Sequence, residues 1–206
     1  MIIFELTNNE ADPAYQNLEI SNINRQYDFL RSIVNASIEA KRPFLSSHVI
    51  KALNFQAITC LHTNAGEFRP CQVEVGEYIP PAQHKVEALM DDLVNIVNRN
   101  WDSTDAVVLA CYVLWKLNHI HPFINGNGRT ARATSYFVLC IKSGGLLPGK
   151  IILPELITRE RPTYVAALKH ADESLKAGNL DLAPLHTLVS NLLTEQINGA
   201  AEPAKA

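Results

Sequence analysis

Between Ala106 and Pro154 the chain carries no Asp or Glu, while five cations, Lys116, Arg129, Arg132, Lys142 and Lys150, remain. That stretch constrains the fold more than any other feature. It opens with Val107, Val108, Cys111, Leu114 and Leu117, spaced for an α-helix apolar on most of its circumference, and continues into a second helical run from Thr134 to Lys142. Such a pair belongs at the centre of a packed molecule. Ser103 and Thr104 stand just ahead of the first run as candidate N-caps.

The surrounding sequence repeats the helical period. Ile23, Tyr27, Leu30, Val34 and Ile38 form one amphipathic series, and Val86, Leu89, Leu93 and Val97 form another. Tyr164, Leu168 and Ala171, then Leu182, Leu185, Leu188 and Leu192, complete a mostly α fold. One segment departs from the pattern. In Phe68 to Pro81, Val73 and Val75 alternate with polar residues, Gly76 offers a turn, and Pro70, Pro80 and Pro81 bracket the whole. This predicts a short two-stranded hairpin that lies against the helices and offers a free edge to another chain. Residues 1–21 and the tail NGAAEPAKA read as loose ends around a core of about 20–195.

With 206 residues and 47% apolar content, the chain is expected to form one domain over 1–206. A net charge of -3 supplies no global field for nucleic acid or anionic lipid, so any anion site is local. Neither a membrane-length apolar run nor a signal-peptide pattern is visible, and the expected location is the cytoplasm. Monomer and homo-oligomer both remain open. Cys60, Cys71, Cys111 and Cys140 include no CxxC pair and are expected as buried free thiols.

The chemistry concentrates in His121-Pro122-Phe123-Ile124-Asn125-Gly126-Asn127-Gly128-Arg129-Thr130-Ala131-Arg132. Gly126 and Gly128 can take positive φ and bare their backbone N–H groups as an anion nest, which opens into a helix N-terminus. Arg129 and Arg132 share a helix face and can clamp successive phosphates, and Asn127 can add its amide. His121, its backbone biased to extended conformations by Pro122, is the candidate general base. His119 competes with it, and an extended His-Ile-His stretch would turn both rings the same way, though no further zinc ligands are spaced to join them. No P-loop motif is present. Gly126-x-Gly128-x-x-Ala131 lacks the preceding strand and following acid of a dinucleotide fingerprint.

These twelve residues resemble the Fic family motif H-P-F-x-D/E-G-N-G-R-x-x-R. Ala65-Gly66-Glu67-Phe68-Arg69, the hairpin and Pro80-Pro81 fall where that family has a target-docking flap, about residues 66–81. The resemblance covers roughly residues 20–195. It implies a helical protein adenylyltransferase that moves AMP from ATP to a Ser, Thr or Tyr hydroxyl of a protein target. By the resemblance, His121 is the base, Gly126, Asn127 and Gly128 form the anion hole, and Arg129 and Arg132 hold the outer phosphates.

Two departures qualify what the resemblance implies. Asn125 stands where the family has the Asp or Glu that ligates Mg²⁺, which weakens the expected metal site. An Asn there also occurs in the related Doc toxins, but they carry Lys where this chain has Gly128. Asn125-Gly126 is moreover a pair prone to deamidation, which would restore Asp. The family's inhibitory motif, S/T-x-x-x-E-G/N, is matched only at Glu39 within Asn35-Ala36-Ser37-Ile38-Glu39-Ala40. A Glu39–Arg132 pair would keep that arginine from ATP. Alternatives to AMP transfer are a nucleotide-binding regulatory module and a de-AMPylating enzyme on the same fold.

Overall fold

The computed structural model describes residues 1–201. Among them the expected central pair is formed by α5 (Ala106–Ile120) and α6 (Asn127–Lys142), which pack along each other. Helices α2 (Pro13–Glu39) and α3 (Ser47–Ile58) cover one side of α6, and α4 (Val86–Arg99) lies on α5. On the other side α7 (Leu153–Arg159), α8 (Arg161–Lys176) and α9 (Ala183–Ala201) close the bundle, and a short α1 (Ile3–Thr7) rests on α2. The fold is mostly α, as the periodicity predicts.

The charge-poor stretch is buried because both of its helices are enclosed. Leu114, Val113, Tyr136 and Val138 are fully excluded from solvent, with Trp115 and Phe137 nearly so. Each large apolar side chain removed from water contributes about 1.5–3 kcal/mol, which explains why no carboxylate is tolerated here. The cap of α5 is Asp105 rather than Ser103 or Thr104. Its extended backbone directly precedes the first helical residue, and its carboxylate accepts from Val107 N at 2.8 Å and Val108 N at 3.2 Å.

Three further expectations are corrected. Residues 1–21 are docked, not loose: Ile3 N donates to Cys60 O at 2.8 Å, Phe4 N to Leu61 O at 3.1 Å, and Asp12 caps α2. The polar residues there act as caps and site ligands, and Tyr15 is 1% exposed. At the other end α9 carries the chain to Ala201, and the remainder of the expected loose tail lies outside the described residues. The segment Phe68–Pro81 forms no strand; it holds one isolated antiparallel bridge, Val75–Tyr78, with N–H···O distances of 2.9 and 3.0 Å. Its prolines remove ladder donors, so side chains hold the segment instead. Finally, only Cys111 and Cys140 are buried, whereas Cys60 and Cys71 are exposed and free.

Gln196 locks α9 to the centre. Its side chain is 2% exposed, donates to Tyr136 Oη at 2.8 Å and accepts from Leu153 N at 2.7 Å. Among the described residues no helix is long and apolar enough to cross a membrane.

Candidate active site

His121 ends α5 in the left-handed region, φ 50 and ψ 60, and its N–H closes the helix on Leu117 O at 3.0 Å. The extended backbone expected ahead of Pro122 is therefore not taken; the helix C-cap overrides the proline preference. The imidazole lines a crevice between the helices and donates to the backbone carbonyl of Asn118. Burial pushes its pKa down to about 4, the Arg69 charge adds to this, and the Asn118 bond opposes it. At neutral pH the ring is uncharged, with one nitrogen donating and the other left as an acceptor.

Opposite stands the start of α6. Gly126 is its N-cap at φ 74, and a Cβ built there would meet Ile58 Cγ2 at 2.5 Å, so the turn requires glycine. Gly128 is not at positive φ; it lies inside the first turn. The expected two-glycine nest is thus a helix N-terminus, where the N–H groups of Asn127, Gly128 and Arg129 have no intrahelical carbonyl. The Asn127 amide does not reach toward a ligand. It is 4% exposed and closes the loop on itself, accepting from Phe123 N and donating to Phe123 O, each at 2.9 Å.

Both arginines line the same crevice as His121, Gly126 and Gly128. Arg132 joins no ion pair among the described residues, and burial lowers its pKa, with the charges of Arg129 and Arg161 adding to that. Arg129 is engaged: it pairs with Glu19 Oε1 at 2.9 Å, donates to Ala57 O at 3.2 Å and to Asn125 Oδ1 at 3.0 Å. Glu39 is elsewhere. It is exposed at the C-terminal end of α2 and does not line the crevice, so the expected Glu39–Arg132 pair is absent. Glu19 touches the arginine cluster twenty positions earlier on that straight run, about 30 Å at 1.5 Å per residue.

Asn125 is tied on both sides. Its Oδ1 faces the Arg129 guanidinium, and its Nδ2 donates to Glu10 Oε1 at 3.1 Å and lies 2.9 Å from His62 Nε2. The only oxygen it could offer a cation is already against a positive charge. These residues therefore do not fit a Mg²⁺ site at this position, and among the described residues no cluster of three or more His, Cys, Asp or Glu side chains is arranged to hold a metal.

The carboxylates of the site come from distant segments, which is why a reading of the motif alone missed them. Glu10 and Glu19 arrive from the N-terminal region, and Asp172 from α8. Asp172 Oδ1 accepts from Trp115 Nε1 at 2.9 Å and lies 2.8 Å from His119 Nδ1. His119 sits within α5 and turns to Asp172, so the two histidines do not point the same way as an extended stretch would require. Extending the α2 period upstream of Ile23 was the one available signal for Glu19. Nothing local marked Asp172.

A helical core whose central helix ends on a histidine, facing a glycine-capped helix start and two arginines, defines the class: the Fic fold. Structures of that fold superpose well. A fragment of Fic-1 from C. elegans aligns over 89% of this chain and 50% of its own length, with 25% identity and a TM-score of 0.71. A Fic domain containing signaling protein from Bacteroides thetaiotaomicron aligns over 97% of this chain and 79% of its own, with 22% identity and a TM-score of 0.68. Residues 44–139 match the model of the Fic/DOC family. The protein adenylyltransferase Fic of Drosophila persimilis is 38% identical over 109 residues, 52% of this chain and 20% of that protein. The chain thus spans about a fifth of the length of the curated relatives it matches.

Proposed function

We propose that the chain is a protein adenylyltransferase, moving AMP from ATP to a Ser, Thr or Tyr hydroxyl of a protein target docked along residues 66–81. One observation carries the reading: a neutral, partly buried imidazole shares a crevice with a helix N-terminus and two arginines. The name of the similar Drosophila persimilis protein supports it.

In this reading the polyphosphate lies at the start of α6, with Arg129 and Arg132 on its outer phosphates. The target hydroxyl oxygen attacks the α phosphorus, its proton passes to the free His121 nitrogen, and the bond to the β phosphate breaks to release pyrophosphate. Developing negative charge falls on the N–H groups of the first turn, which need no reorganisation. Bound phosphates also raise the His121 pKa from its low resting value, strengthening the base when substrate is present. The described helices then act as one catalytic unit, and no step is routed through a metal.

Incubation with ATP labelled at the α phosphate should label the chain or a protein in a lysate, and His121→Ala should lose the label. Undiminished labelling in that variant would remove His121 from its role. A second reading, a nucleotide-binding module without transfer, is favoured by the way Asn125 and Arg129 are occupied. It predicts ATP binding without labelling in the parent and transfer only in Asn125→Asp. Equal labelling in both chains supports the enzyme.

A further inference from the structure

Arg69 lies outside the motif and is 2% exposed, yet no carboxylate pairs with it among the described residues. Its charge is met by carbonyls alone. Nε donates to His121 O at 2.8 Å, NH1 to Cys71 O at 2.9 Å, and NH2 to Pro81 O. The Arg69 backbone N–H adds a bond to Pro122 O at 2.8 Å.

These four bonds join two things. The carbonyls of Cys71 and Pro81 bracket the loop of residues 71–81 within the segment that lacks strands, so one guanidinium closes its root where no ladder does. The carbonyls of His121 and Pro122 belong to successive peptide planes, and fixing both restrains ψ at each residue. A left-handed conformation at a residue other than glycine persists only where its surroundings over-determine it. Here Arg69 adds its restraint to that of the helix C-cap bond from His121 N to Leu117 O. A second tie runs alongside, as Tyr78 Oη donates to His119 O at 2.6 Å.

We propose that Arg69 is a positioning residue: a single guanidinium binds the root of the flap and the backbone of His121, keeping a polypeptide docked on the flap in register with the imidazole. Its part in catalysis rests on the adenylyltransferase reading; its part in the arrangement does not. Five donors in a fixed fork suit a group that must hold several carbonyls at once, which lysine cannot do.

The test uses the full chain as Arg69→Gln and Arg69→Lys, each with three measurements. Histidine-labelled NMR, with His121→Ala to assign the resonance, gives the protonation midpoint of His121. Removing the Arg69 charge should move that midpoint upward in Arg69→Gln and leave it near the parent value in Arg69→Lys. The other charged and titratable groups around the crevice are Glu10 ahead of α2, Glu19 and Tyr27 on α2, Glu74 and Tyr78 on the flap, His119 on α5, Arg129 and Arg132 on α6, Glu155 on α7, and Arg161, Tyr164, Lys169 and Asp172 on α8. All are common to the three chains. Limited proteolysis should cleave residues 71–81 faster in both variants. In the transfer assay kcat should fall by up to about 100-fold with the KM for ATP retained, the signature of misplacement rather than lost binding. An unmoved midpoint together with parental flap cleavage in Arg69→Gln overturns the proposal. Should that variant fail to fold, parental cleavage and kcat in Arg69→Lys overturn it equally. A parent that labels nothing refutes the adenylyltransferase reading, while the midpoint and cleavage still decide the role of Arg69.

Discussion

A side chain's place in this crevice depends on what it is bonded to as much as on the motif that contains it. Asn127 sits between two glycines, where an anion ligand is expected, but its amide serves Phe123 and leaves only the main-chain N–H for a ligand. Arg129 and Arg132 look equivalent in sequence and differ in the structure, because Glu19 takes the first and leaves the second free. In the adenylyltransferase reading, nucleotide competes with that carboxylate for Arg129. Glu19 is partly exposed, and such pairs contribute about 0.2–1 kcal/mol, so Glu19→Gln should tighten ATP binding by up to about fivefold in calorimetry. Glu39→Gln, at the far end of the same helix, should bind ATP as the parent does. An unchanged dissociation constant in Glu19→Gln would show that the pair does not compete with nucleotide.

At the scale of elements, the start of α6 tolerates no side chain at position 126. Gly126→Ala forces a Cβ against Ile58 Cγ2 and Asn54 Nδ2, at 2.5 and 3.3 Å, and strains a positive φ. Left-handed strain costs about 1–2 kcal/mol and overpacking about 1–3 kcal/mol, so the variant should lose a few kcal/mol in urea unfolding. A loss below about 1 kcal/mol would mean that the turn relaxes freely. The helices themselves were legible because an apolar period of 3.6 is a local signal: Val86 to Val97 and Val107 to Leu117 fall where α4 and α5 lie. Caps were less legible, since Ser103, Thr104 and Asp105 are all cap formers and only backbone geometry chooses. The flap misled for a physical reason. Alternation at Val73 and Val75 reads as strand, but a single guanidinium, Arg69, replaces the ladder. The His121-to-Arg132 motif was readable because its residues are contiguous, whereas Glu10, Glu19 and Asp172 reach the site only through the packing of three separate segments.

For the molecule as a whole, the site shapes the response to acid. Burial lowers the pKa of both His121 and His62 below the ordinary histidine value. The unfolded chain therefore binds protons at these positions first, and stability declines as pH falls from about 6.5 toward the His121 value of about 4. The melting temperature should drop across that window, and His121→Asn should flatten the drop. An equal slope in the variant would place its origin elsewhere. The crevice also gathers α2, the α5–α6 pair, α8 and the flap around one opening. Whatever fills it braces these segments against one another, so occupancy at a hundred times the dissociation constant adds about 2.7 kcal/mol to global stability. A simple heating curve thus becomes a detector for cognate small molecules, able to sort candidates even where the chemistry is silent.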